Sequence, residues 1–184
     1  MNLSRAWGLL PFGFFVAYLA MAVNAGRGWD ALWVCHVANL LLAAGIFARR
    51  VRWARAALLL ILAGLPLWAA DMAHTGHVEG VSVVSHLGGF AVAVFALLRS
   101  PRPPGPAWGL ALATYLAAQL AARLFAPPAL NVNVAHAPYP GWEGWFESHA
   151  AYWVFVTAAT AAALWLGDRL LPRRFLPTHR ESRP

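Results

Sequence analysis

Apolar residues do not alternate with polar ones along this chain. They come in long blocks divided by short polar breaks, and six blocks stand out: Trp7–Ala25, Ala31–Phe47, Trp53–Ala70, Val81–Leu98, Pro106–Phe125 and Ala150–Leu171. A helix that crosses the hydrocarbon core of a bilayer needs about 20 mostly apolar residues, so each block is a candidate span. Most positions in a block are apolar, and no single face stands out at the helical period. The pattern predicts an all-α polytopic membrane helix bundle of about six transmembrane helices. Residues 1–172 are expected to form a single transmembrane domain, and 173–184 a basic tail. No internal repeat is visible. The longest polar break, "APPALNVNVAHAPYPGWEGWFESH", spans 126–149. Loops of this length are usually functional or partly structured. Its Tyr139, Trp142, Trp145 and Phe146 suit the headgroup region of a membrane. It is expected to fold over one face as a re-entrant or interfacial cap.

Composition supports the membrane reading. Hydrophobic residues make up 60% of the 184 positions and charged residues only 11%, with a mean hydropathy of +0.56. A water-soluble domain carries roughly 25% charged residues. All the positive charge is arginine, since lysine is absent, and alanine is abundant; together these suggest a GC-rich, bacterial coding sequence. The net charge of +7 does not call for nucleic acid, because the arginines lie in breaks between apolar blocks. Arg5, Arg49, Arg50, Arg52, Arg55, Arg99, Arg102, Arg169, Arg173, Arg174, Arg180 and Arg183 fall on one side of a six-helix arrangement. Only Arg27 and Arg123 fall on the other, a split of twelve to two among fourteen. The positive-inside rule then places both termini in the cytoplasm and the protein in the bacterial inner membrane. The first block lacks a small-x-small cleavage site and contains Pro11, so it is read as a membrane helix and not as a removed signal peptide.

The chemistry-bearing residues collect in the opposite, outer layer. Six of the seven histidines lie there (His36, His74, His77, His86, His136 and His149), as does the single cysteine, Cys35. One cysteine excludes an intrachain disulfide and any CxxC motif. A thiol needs a base to become a nucleophile. His36 is adjacent in sequence, but helix neighbours point about 100° apart. His86, at matching depth on another helix, is therefore the expected base, with a buried structural cysteine as the plain alternative. Asn39 lies four residues after Cys35, on the same helix face, and can donate to an oxyanion or bond a neighbouring helix. Asn131 and Asn133 of the cap are further oxyanion donors or, with His136, Trp142, Trp145 and His149, substrate-binding residues. Gly88 and Gly89, just after His86, let another helix approach closely. Imidazoles beside carboxylates also suit zinc, iron or copper. His36, His74, His77, His86, His136 and His149 with Asp71 or Glu79 make that alternative ligand set. Otherwise no cofactor is expected. A non-enzymatic accessory subunit is the third reading.

Three segments carry a resemblance. "WVCHVANLL", "EGVSVVSHLGGFAVAVFALL" and "LNVNVAHAPYPGWEGWFESHAAYW" resemble, in order, segments of the transmembrane protein 164 acyltransferases and their bacterial YwaF-type relatives. The resemblance implies that Cys35 is a nucleophile and His86 an essential histidine. It also implies transfer of fatty acyl chains between phospholipids through a cysteine thioester, without acyl-CoA. The chain departs from that pattern in its shorter length, its fewer helices and its histidine-rich third connection. The function expected is thus membrane-embedded lipid acyl transfer or lipid-ester hydrolysis. The expected partners are membrane lipids, with a homo-oligomer or a partner membrane protein possible, and no nucleic acid.

Overall fold

The computed structural model describes residues 3–100 and 105–171. The basic tail 173–184 and Arg102 lie outside the described residues. The described residues form six α-helices: α1 (Leu9–Asn24), α2 (Val34–Phe47), α3 (Val51–Thr75), α4 (Gly80–Leu98), α5 (Trp108–Phe125) and α6 (His149–Leu170). Among the described residues there is no β-strand. Short 3-10 turns lead into α1 at Arg5–Gly8 and precede α2 at Gly28–Leu32.

Six helices match the six blocks, but not all in length. Among the described residues four segments are long and apolar enough to cross a membrane: Arg5–Asn24, Val51–Thr75, Gly80–Leu98 and His149–Leu170. That fits a membrane protein. Helix α2 has only 14 residues, about 21 Å at 1.5 Å per residue. The block from which it was expected starts earlier, but Gly28–Leu32 coils into a 3-10 turn and Trp33 is not helical, with ψ 132°. Gln119 and Arg123 keep the 18-residue α5 out of the apolar set. Helix α3 runs five residues past its expected end at Ala70 and stops where Gly76 turns left-handed, at φ 66°. His74 therefore sits in the last turn of α3 and not in a loop.

Helices α1 to α4 pack around small residues. Ala54, Ala57, Ala93 and Ala96 are buried with Leu42, Ile46 and Leu58 in one core cluster. A second cluster joins Ala38 of α2 and Ala56, Leu60 and Ile61 of α3 to Ala111 and Tyr115 of α5 and Leu164 of α6. Alanine at these positions lets helix backbones approach closely, as in membrane bundles.

Each end of the bundle is locked by polar contacts. At one end Arg55 of α3 is buried. Its Nε donates to Asp168 Oδ1 of α6 at 2.6 Å, and its Nη2 donates to the carbonyls of Asp168 (2.7 Å) and Leu171 (2.9 Å). The other oxygen of Asp168 accepts the Ala107 N–H at 2.9 Å, at the start of α5. One ion pair thus ties three helices together. At the opposite end Arg27, after α1, donates to Glu79 at 2.6 Å, before α4, and lies 3.3 Å from Asp30. The Glu79 hydrogen bond holds the Arg27 pKa above its ordinary value. Burial pushes the Asp30 carboxyl up, against the pull of Arg27.

The long connection between α5 and α6 is folded at this second end. Asn131 and Asn133 take left-handed backbone angles (φ 41° and 53°), which asparagine tolerates better than other side-chain-bearing residues. Val134 does so too, at φ 51°, a strained geometry for a β-branched residue. Trp142 stacks with Trp145 and Phe146 and lies against Tyr152 and Phe155 of α6. Tyr139 donates from its hydroxyl to Asp71 of α3 at 3.2 Å.

Candidate functional site

Polar residues inside an apolar bundle need partners, and one cluster of them sits between α1, α2, α3 and α4. On α4, Ser82, Ser85, His86 and Gly89 share a face because they are spaced by three and four residues. On α2, His36 and Asn39 are three apart and meet that face. All five side-chain-bearing members are buried.

His86 is held at Nδ1 and over one ring face. Its Nδ1 lies 2.8 Å from the Ser82 carbonyl and 3.4 Å from the Ser82 hydroxyl. Trp68 of α3 stacks on it with ring centroids 4.4 Å apart and 12° between planes, while its indole N–H donates to Ser82 Oγ at 3.1 Å. A carbonyl only accepts, so Nδ1 carries the proton and Nε2 keeps the lone pair. That Nε2 is buried and has no hydrogen-bond partner among the described residues. Leaving a buried acceptor unpaired costs about 1–3 kcal/mol, so such an atom calls for an explanation.

The ring on α2 that meets His86 is His36, with centroids 5.2 Å apart and planes at 73°. His36 also stacks on Tyr18 of α1 at 3.5 Å, and its Nδ1 is 3.2 Å from Ser85 Oγ. The sequence pairs His86 with Cys35 instead. Cys35 is half-buried, and its Cβ is the nearest neighbour of Gly64 on α3. Among the described residues no hydrogen bond joins its thiol to an imidazole.

Asn39 lies between these groups, but its donors are engaged. Its Nδ2 donates to the carbonyl of Cys35 (3.3 Å) and to the carbonyl and hydroxyl of Ser85 (3.3 and 3.2 Å). Its Oδ1 is the second buried atom of the cluster without a partner. It rests against Gly89, where a Cβ would overlap it, while a Cβ on Gly88 would meet the Phe14 ring of α1. The two glycines thus serve two different neighbours.

The other expected residues lie elsewhere. Asn133 pins the cap to the start of α2, accepting the Val34 N–H at 2.9 Å and donating to the Leu32 carbonyl at 2.7 Å. Asn131 accepts the N–H groups of His136 and Ala137. Both amides serve the fold of the cap. His149 lies 3.1 Å from the Val134 carbonyl and lines a groove of about 250 Å³ with Gln119, Arg123 and Trp153. Arg123 Nη1 donates to the Ala135 carbonyl at 2.9 Å and is 3.5 Å from His136 Nδ1. Trp145 is largely exposed. His77 lies 3.6 Å from Glu79, and Asp71 accepts from Tyr139. Among the described residues no three His, Cys, Asp or Glu side chains converge as a ligand set. The pair His36–His86 is the nearest approach to one.

In the sequence His36 stands only as a candidate metal ligand, and Ser82, Ser85, Trp68 and Tyr18 are not singled out for the site. Spacing held a signal for three of them: His36 with Asn39 on one helix, and Ser82 and Ser85 with His86 on another. The contacts of Trp68 and Tyr18 depend on how the helices are rotated, which an all-round apolar pattern does not specify. No family model, no curated protein and no solved structure matches this chain.

Proposed function

We propose that the chain is a membrane-embedded enzyme that transfers or hydrolyses the acyl group of a lipid ester, with His86 as its general base. The observation that carries this reading is the buried, unpartnered lone pair on His86 Nε2, oriented by the Ser82 carbonyl and the Trp68 ring. An intramembrane histidine is costly and usually marks function. The Cys35 thiol, in the first turn of α2, is the nucleophile that the resemblance to the transmembrane protein 164 acyltransferases implies.

The chemistry balances without a nucleotide. Cys35 sulfur attacks the ester carbonyl as its proton passes to His86 Nε2. The tetrahedral adduct collapses, and the departing lysolipid oxygen takes that proton. A hydroxyl acceptor then gives its proton to Nε2 as it attacks the thioester, and the departing Cys35 sulfur takes that proton back, which restores the thiol and the neutral imidazole. The energy is already held in the ester. We place the site in the outer leaflet of a bacterial inner membrane, with both termini cytoplasmic.

The test uses full-length protein in vesicles of phosphatidylethanolamine and phosphatidylglycerol bearing a fluorescent acyl chain. Wild type should release or transfer the chain. His86→Ala should lower the rate by about 10²–10⁴-fold, the usual contribution of acid–base catalysis. Cys35→Ala should abolish both turnover and a hydroxylamine-sensitive acyl-protein. An active His86→Ala protein would refute the reading. Turnover retained in Cys35→Ala alone would replace the thioester by direct attack of the hydroxyl acceptor.

A further inference from the structure

The hydrogen-bond partners favour opposite tautomers on the two imidazoles. His86 carries its proton on Nδ1, against the Ser82 carbonyl, and exposes a lone pair at Nε2. Ser85 receives an N–H from Asn39 at 3.2 Å. The proton of Ser85 itself has one acceptor among the described residues, His36 Nδ1 at 3.2 Å. A buried hydroxyl donates where an acceptor is in reach. His36 therefore carries its own proton on Nε2, and no hydrogen bond engages that N–H among the described residues. One ring offers a donor and the other an acceptor, with centroids 5.2 Å apart. Asn39, the donor expected for an oxyanion, has none left to give.

We propose that His36 is a second catalytic residue: its Nε2–H donates to the carbonyl oxygen of the ester while His86 Nε2 moves the proton. This rests on the acyl-transfer reading. As the nucleophile adds to the carbonyl carbon, the C=O π pair moves onto oxygen. The oxyanion is met by the neutral imidazole N–H of His36, and no proton is transferred there. Collapse re-forms the C=O bond and expels the lysolipid oxygen, which takes its proton from His86. Ser85 and Asn39 are positioning residues, since the chain Asn39 to Ser85 to His36 sets the tautomer of His36. Tyr18, stacked at 3.5 Å, fixes the ring plane.

Two readouts test this. In the full chain labelled with ¹⁵N-histidine in lipid nanodiscs, the ring nitrogen shifts should show a proton on Nε2 of His36 and on Nδ1 of His86. A proton on Nδ1 of His36 overturns the proposal whatever the activity. In the fluorescent vesicle assay, His36→Ala should lower kcat by about 10²–10³-fold, the usual loss for one oxyanion donor. KM should stay near wild type, and the acid limb of the pH–rate profile should remain, because His86 supplies it. His36→Gln, which keeps an N–H, should recover part of kcat. Ser85→Ala should fold, give a mixture of His36 tautomers and lose a smaller part of kcat. Full activity in His36→Ala with an inactive His86→Ala overturns the role of His36 and leaves acyl transfer standing. Full activity in both variants removes acyl transfer and this proposal with it.

Discussion

At the residue scale, Gly89 and Asn39 show how tightly the site is set. The Asn39 amide oxygen lies where a Gly89 side chain would begin. Gly89→Ala should therefore push Asn39 off Ser85, and overpacking of this kind costs about 1–3 kcal/mol. Gly88→Ala meets only the outer edge of the Phe14 ring, which can swing aside. Thermal unfolding in detergent should show a clear drop in Tm for Gly89→Ala and a smaller one for Gly88→Ala. Lipid turnover should fall only in the first, and equal drops would argue against this reading of the contact. His86 was legible in the sequence because an imidazole inside an apolar block is conspicuous. Its partner was not. Cys35 and His36 point apart, as helix geometry demands, but which of the two turns towards α4 depends on the rotation of α2. Asn39 does not decide it, because it lies four residues after Cys35 and three after His36 and so shares a face with either.

At the element scale, the ion pair at the far end of the bundle governs how α5 and α6 are held. Asp168 neutralises Arg55 and caps the start of α5 through Ala107. Removing one member of a buried pair strands the other charge and typically costs about 3–5 kcal/mol. Asp168→Asn should therefore lower Tm strongly and loosen α5, which a rise in amide exchange across 108–112 would report. Arg55→Met with Asp168→Leu should recover part of the loss, since a buried pair is often replaceable by apolar packing. A full-stability Asp168→Asn protein would show the lock to be dispensable. In sequence Arg55 looks like one more loop arginine, because it follows Arg49, Arg50 and Arg52. Helix α3, however, begins at Val51 and carries Arg55 one turn inward. The cap was expected as a folded loop, and its asparagines proved to be the residues that shape it. Left-handed backbone at Asn131 and Asn133 is the physical reason, and residue type alone hinted at it.

At the scale of the whole molecule, the helix count was legible from the apolar blocks, whereas helix lengths were not, since a block does not say where its first turn tightens. The arginine split makes a definite topology expectation: reporter fusions after Arg102 and after Glu143 should signal opposite sides of the membrane, and the same side would refute the six-span arrangement. Metal analysis of chelator-free protein addresses the other reading. Near-stoichiometric zinc, iron or copper that is lost on replacing His36 and His86 together would move the site from acid–base to metal chemistry. Helix α2 has a further consequence. In the membrane arrangement proposed above, its 14 residues would match a hydrocarbon layer several ångströms thinner than the roughly 30 Å of a common bilayer. A lipid sheet that dimples there to meet Val34 lowers its glycerol ester level towards His36 and His86. Hydrophobic mismatch of this kind costs fractions of a kcal/mol per ångström. Turnover should therefore depend on acyl-chain length, fastest in vesicles of shorter chains and slowing as the host membrane thickens, so that the protein would act as a gauge of the membrane it sits in.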